Sequence, residues 1–174
     1  MRVVSALGGT STIVAHEAWN PTWSPVSNKI AFTPSGNDGP YASFSVVNSD
    51  GSGRANYVID EATDYQDPAW SSDGTRIAFR CTAHATPENE APADEVCLTS
   101  PTGGSMKRLT SSGFGLMFGG PAWSPDATKV LFSQAPSPAD QRAELYTVQR
   151  DGSGRKKLTD SVINEYNPTW AAMP

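Results

Sequence analysis

Apolar and aromatic residues fall in short runs separated by turn residues, with almost no helical spacing. Lys29-Ile30-Ala31-Phe32, Arg76-Ile77-Ala78-Phe79 and Lys129-Val130-Leu131-Phe132 each place a basic residue before an apolar stretch, which reads as a short strand. A Pro-x-Trp precedes every one of them. Asn20-Pro21-Thr22-Trp23 returns as Asp67-Pro68-Ala69-Trp70, Gly120-Pro121-Ala122-Trp123 and Asn167-Pro168-Thr169-Trp170, at Trp spacings of 47, 53 and 47 residues. After each of the three strands comes a loop rich in Pro, Gly, Asn and Ala, then a second apolar run: Phe44–Val47, Glu95–Leu98 and Leu145–Val148. A glycine turn follows (Asp50-Gly51-Ser52-Gly53, Pro101-Thr102-Gly103-Gly104, Asp151-Gly152-Ser153-Gly154), since glycine accepts the positive φ that a tight hairpin needs. A last strand closes the unit at Ala55–Ile59, Met106–Thr110 and Lys156–Thr159.

Four short strands per unit of about 50 residues, with turns and no helix, is the pattern of a β-propeller blade. A lone blade cannot bury both its faces, so blades stack around an axis. The recurrent Trp23, Trp70, Trp123 and Trp170 are then packing anchors between blades. With strands lettered a to d from the axis outwards, residues 16–60, 61–111 and 112–161 form three full blades. Residues 1–15 align with strands c and d of a preceding blade, and 162–174 with one further strand a.

Composition agrees with this picture. The 174 residues contain 15 Gly and 14 Pro, enough for frequent turns, while five Trp, five Tyr and six Phe furnish core material. The formal charge of −5 argues against nucleic acid and anionic membrane surfaces as partners. No apolar run approaches the ~20 residues that cross a bilayer, and the start of the chain is too short and glycine-broken for a signal peptide.

The motif set Pro-x-Trp-Ser-Pro, basic-apolar strand, Asp-Gly-Ser-Gly and Lys-Lys-Leu-Thr resembles the WD-like propeller repeat of the TolB type, over residues 17 to 170. Departures fall in turns: Val26-Ser27 after Pro25, Ser72 in place of Pro, Ala127 in place of Gly, and the divergent second glycine turn. The resemblance implies an all-β propeller that binds a protein or peptide partner in the periplasm or outside the cell. It also implies kinship with propellers that gate peptidases.

Three blades with c and d at one end and a at the other leave blade faces and sheet edges uncovered, which invites self-association. The expectation is a two-fold pair closing one larger ring, with a piece of a longer propeller protein and a closed four-bladed monomer as the alternatives. The function expected is a non-enzymatic interaction module. An accessory propeller of a peptidase or glycan-active enzyme, and a lectin-like sugar binder, are the rivals.

Catalytic signatures are missing. No G-x-S-x-G, phosphate loop, dinucleotide fingerprint or H-E-x-x-H occurs, and the Asp-Gly-Ser-Gly turns lack the further carboxylates of a calcium loop. His16 and His84 have no nucleophile at a repeating offset. No cofactor and no metal are expected. Cys81, just past strand b, and Cys97, in strand c of the same blade, are expected opposite one another within reach of a disulfide, or else are two buried thiols. A ligand would sit where strand a lines the axis: at Trp19 and Asn20, Gln66 and Asp67, Gly119 and Gly120, Tyr166 and Asn167, with Glu17, Asp64 and Glu165 upstream. Asn and Asp there equally serve to tie up the backbone. The b–c loops, 33–43, 82–94 and 133–143, are the other candidate surface.

Overall fold

The computed structural model describes residues 1–35, 43–58, 63–83, 93–111, 115–117, 119–135 and 142–171. The protein is an all-β propeller arc. Blade 1 is a four-stranded antiparallel meander of β3 (Ala18–Trp23), β4 (Lys29–Pro34), β5 (Ser43–Asn48) and β6 (Ala55–Val58). Blade 2 repeats it with β7 (Thr63–Trp70), β8 (Ile77–Ala83), β9 (Asp94–Thr99) and β10 (Lys107–Arg108). In blade 3 the inner strand is split into β11 (Leu116–Met117) and β12 (Ala122–Trp123), both paired to β13 (Lys129–Ala135), which is followed by β14 (Glu144–Gln149) and β15 (Lys156–Lys157). At the start of the chain, β1 (Arg2–Val3) and β2 (Thr12–Ile13) form a separate hairpin.

Each interface between neighbouring units carries its own apolar core. Val14 and Ala15 meet Ile30, Phe32 and Val47; Phe44 and Val46 of blade 1 meet Tyr65, Trp70 and Phe79 of blade 2; Val96 and Leu98 of blade 2 meet Trp123, Phe132 and Val148 of blade 3. Glycine turns fix the neighbours' spacing. The backbone of Gly152 lies against Leu109, and that of Gly51 against Ile13 and Val14. The first hairpin therefore meets blade 1 as the outer strand of blade 2 meets blade 3.

Ladder register corrects the alignment of the second glycine turn. Val46 pairs with Ala55, Leu98 with Lys107 and Thr147 with Lys156, and Gly51, Gly103 and Gly152 each donate an amide proton to the residue three before (Asn48, Ser100, Gln149). Thr102-Gly103-Gly104-Ser105, not Pro101–Gly104, thus stands for Asp-Gly-Ser-Gly. The turn conformation, rather than residue likeness, decides the match.

Two other expectations need adjustment. Residues 165–170 run where an inner strand belongs but form no ladder, because among the described residues no strand b lies beside them; Glu165 N instead donates to the carbonyl of Ala143 at 3.0 Å. Cys81 and Cys97 form a disulfide with Cα atoms 5.9 Å apart. They sit diagonally rather than opposite: Cys81 pairs with Glu95 and Cys97 with Phe79. Diagonal neighbours on one face still lie within bridging range.

The turns between strands a and b explain the recurrent Ser-x-Asp. Ser124 donates from Oγ to Asp126 at 2.6 Å, and the same carboxylate oxygen accepts the Thr128 amide at 3.1 Å and its hydroxyl at 2.8 Å. Ser71, Asp73 and Thr75 repeat the arrangement. Blade 1 has no Asp there, and Ser27 instead donates to Ser24 at 2.9 Å.

Candidate functional site

The inner strands are interrupted at one place in every repeat. Between Trp19 and Thr22 in blade 1, and between Gln66 and Ala69 in blade 2, the register shifts at a bulge. Asn20, Asp67 and Asn167, each immediately before Pro, hold left-handed φ values of 49°, 54° and 46°. Side-chain amides and carboxylates tolerate that region better than other residues, which is why the pre-proline position reads Asn, Asp and Asn. Backbone held in this region by its surroundings marks places where geometry is imposed.

These positions converge. Asn20, Asp67, Gly120 and Asn167, with the prolines after them, line one cavity of about 350 Å³. Asn20 donates from Nδ2 to Asp67. A β-carbon on Gly120 would stand 2.8 Å from Cβ of Asp67, and one on Gly119 2.1 Å from Oδ1 of Asn167. Blade 3 has glycines there because its neighbours' side chains fill the space. The register that brings the Asn-Asp-Gly-Asn series together is the one read from the sequence.

The pairing of β7 with β8 brings in Arg80, which sequence reading passed over. Its guanidinium donates to Oε1 of Gln66, stands 3.3 Å from Asp67 and 3.7 Å from Asp94, and keeps a buried Nε without a partner. A charged residue directly after Phe79, inside an apolar strand, was the available signal. Trp19 lies beside this group with its indole N–H donated to Ser35 at 3.0 Å, yet its ring is 64% exposed. Trp19, Asn20, Thr33 and Gln66 line a second recess of about 250 Å³. The result is a polar floor in which one guanidinium is held between two carboxylates, flanked by an exposed aromatic face.

The other expected residues separate. Tyr166 is exposed near Asn167. Glu165 turns away from the ring: its carboxylate accepts the Thr159 hydroxyl at the outer side of blade 3. Asp64 pairs with Thr82 farther along β7. His16 is exposed before β3; His84 and most of the b–c loops lie outside the described residues.

Anchors differ as well. Trp70 and Trp123 are both 8% exposed, and Trp123 donates its indole N–H to the Ala69 carbonyl at 3.0 Å, as Trp170 does to Ala122 at 3.2 Å. Trp70 is buried with its Nε1 unpartnered. Trp23 does not act as a buried anchor here: its ring is 52% exposed, because the hairpin β1–β2 brings no inner strand to cover it. Among the described residues no group of three or more His, Cys, Asp or Glu is placed to hold a metal ion, and no helix is long and apolar enough to cross a membrane.

No family model matches the chain. Over 54 residues, 29% of its length, it is 44% identical to dipeptidyl-peptidase 5 of Porphyromonas gingivalis, covering 8% of that protein. Among solved structures, 98% of the chain superimposes at a TM-score of 0.70 and 12% identity on 60% of a chain of the nidogen/laminin complex. Likewise 82% superimposes at a TM-score of 0.55 and 15% identity on 43% of the β-propeller domain of the trilobed protease from Pyrococcus furiosus. The chain thus spans less than two thirds of each of these proteins, and the likeness establishes the propeller fold.

Proposed function

We propose that this arc is a non-enzymatic interaction module of an extracytoplasmic protein, and that it completes a ring with a second copy of itself. The carrying observation is the open junction at Trp23. Every other anchor covers the preceding inner strand, and two of them donate to the carbonyl of its Pro-x-Trp middle residue. Thr169 carries the equivalent carbonyl at the far end of the arc, where Val162 and Ile163 are exposed. A second copy's 165–170 segment on Trp23 would repeat the internal junction. A buried disulfide accords with an oxidising compartment, as does the resemblance to periplasmic propellers.

Light scattering after size exclusion tests this. A species of twice 18.5 kDa, reduced to a folded monomer by Trp23→Ala, is the expected result; a folded wild-type monomer at micromolar concentration overturns it.

The axial ring is the recognition surface in this reading, suited to a peptide's amide groups and side-chain ends. Exposed Trp19 and Tyr166 beside it favour one second reading, a sugar-binding propeller, since such rings stack on pyranose faces. Fluorescence titration with cellotriose separates the two: saturable quenching lost in Trp19→Ala supports the sugar. The peptidase match is about one repeat long, so it supports kinship of the blade and leaves an accessory role beside a peptidase as a proposal of the same standing.

A further inference from the structure

In each full blade the inner strand meets strand b in one register. Trp23 faces Ile30 and Thr22 faces Ala31; Trp70 faces Ile77 and Ala69 faces Ala78; Trp123 faces Val130 and Ala122 faces Leu131. The residue after each Trp completes the set, the amides of Ser24, Ser71 and Ser124 donating to the carbonyls of Lys29, Arg76 and Lys129 at 2.8 to 2.9 Å. Every strand b that fits there has one pattern: a basic residue, Ile or Val, Ala or Leu, then Phe.

Thr169-Trp170-Ala171 is the fourth segment of this kind, and among the described residues no strand lies beside it. It keeps the shape of an inner strand all the same. Asn167 holds a φ of 46°, against 49° at Asn20 and 54° at Asp67. The Trp170 indole N–H donates to the Ala122 carbonyl at 3.2 Å, as that of Trp123 does to Ala69. The Ser133 hydroxyl donates to the Glu165 carbonyl, as the Thr33 hydroxyl does to Tyr65. Blade 3 supplies all of these holds, while Thr169 and Ala171 are exposed. A strand edge fixed in place and open to solvent is a template for another strand, and its preorganisation removes part of the ordering cost of binding.

The face that such a strand would cover is laid out as well. Ile77 and Phe79 of blade 2 pack against Phe44 and Val46 of blade 1, and Val130 and Phe132 of blade 3 against Val96 and Leu98 of blade 2. Ladder register puts Leu145 and Thr147 of blade 3 at the positions of Phe44 and Val46, and Leu145 is partly exposed. We propose that Thr169-Trp170-Ala171 receives an extended segment of another polypeptide as strand b, by β-strand addition, and selects the pattern basic, branched apolar, small, aromatic. Main-chain bonds supply the affinity and alternate side chains the choice. The branched and aromatic residues lie on Leu145 and Thr147, and a slip of one residue turns both away from blade 3. The edge belongs to a single copy, so the inference does not rest on ring closure. In the paired ring proposed above, β1 of the second copy stands along the other side of the added strand, since its hairpin takes the place of strands c and d.

The probe is a fluorescein-labelled peptide of residues 28–34, Asn-Lys-Ile-Ala-Phe-Thr-Pro, which fills this place in blade 1. Anisotropy titration with the whole chain is expected to show saturable binding, with the amides of residues 169–171 protected from hydrogen exchange in the complex. The peptide Asn-Lys-Ala-Ile-Thr-Phe-Pro has the same composition with its apolar residues on the opposite face. It should bind about tenfold more weakly or worse, and so should the first peptide to Leu145→Glu, a change at a partly exposed position. Trp170→Ala, which frees the segment from blade 3, should abolish binding. Absence of binding, equal binding of the two peptides, binding unchanged in Leu145→Glu, or no protection at 169–171 overturns the proposal. Light scattering of the same samples keeps it apart from ring closure: peptide bound to an 18.5 kDa monomer upholds strand addition and sinks the ring, and a pair that takes up no peptide does the reverse.

Discussion

Trp23 and Trp123 occupy the same position of one repeat, yet one is 52% and the other 8% exposed. Replacing each with Ala therefore measures what the blade junction contributes. A buried Trp removes about 150–250 Å² from water, worth roughly 4–6 kcal/mol at ~25 cal/mol per Å², an upper figure because the unfolded chain is already partly collapsed. Trp123 also donates to Ala69 at 3.0 Å, adding about 1 kcal/mol. Trp123→Ala should thus cost about 3–5 kcal/mol, the range seen for large aromatic truncations. Trp23 has about half that burial and no such bond, so Trp23→Ala should cost about 1–2 kcal/mol in the monomer. Urea unfolding followed by circular dichroism gives both values, and Trp123→Phe keeps the comparison open if the Ala variant fails to fold. Protein concentration adds the second half of the test. If a partner strand covers Trp23, its cost must grow with concentration, because assembly stabilises the folded state by mass action. Equal costs for the two variants at a concentration where the chain is monomeric would refute the junction reasoning.

Other consequences follow from the turns and the disulfide. Cys81→Ala/Cys97→Ala opens a 16-residue separation and should lower stability by about 3 kcal/mol on the loop-entropy model, read as a lower urea midpoint; an unchanged midpoint would count against it. Ala127 holds a left-handed φ of 56° where Gly74 of blade 2 holds 68°, so Ala127→Gly should raise stability by about 1 kcal/mol despite glycine's entropy cost. The Ser124 hydroxyl and the Thr128 amide and hydroxyl hold the Asp126 carboxyl at about 2, against 3.8 ordinarily. Partial burial pushes Asp73 upward, but bonds from Ser71, Thr75 and Arg150 outweigh it and hold it well below the carboxylate range. Depressed folded values mean stability present above pH about 3.8 and lost as pH falls towards 2. Asp73→Asn/Asp126→Asn should be less stable at pH 6 and should show a shallower loss between pH 4 and 2, measured as urea midpoints across that range.

The fold was legible because the repeat is written in residues with few alternatives. Pro-x-Trp, the basic-apolar strand and the glycine turn each specify local geometry, and their spacing specified the blade. The axial convergence of Asn20, Asp67, Gly120 and Asn167 followed from the same register. What failed depended on neighbours in space. Exposure of Trp23 is set by a strand that the first hairpin does not supply, so no local pattern distinguishes it from Trp123. Glu165 was placed with the ring by sequence adjacency, but Thr159 and Ala143 of blade 3 draw it outward. Arg80 was overlooked because its partners, Gln66, Asp67 and Asp94, become neighbours only once β7, β8 and β9 pair.

Departures from a repeat carry different information from the repeat itself. Positions held alike in all blades, such as Ser24, Ser71 and Ser124, answer to the demands of one blade, since each blade must solve the same turn. A position that differs in one blade answers either to drift or to a demand made there alone. Drift on the surface is expected to be polar and uncorrelated. Thr99 fits neither description: it is buried with an unpartnered hydroxyl where the other blades carry Val47 and Val148, and its ladder partner Ile77 packs in the junction between blades 1 and 2. The pre-proline ring departs in the opposite sense: Gly120 replaces a polar residue because Asp67 already fills its space. That substitution is explained by packing and needs no ligand.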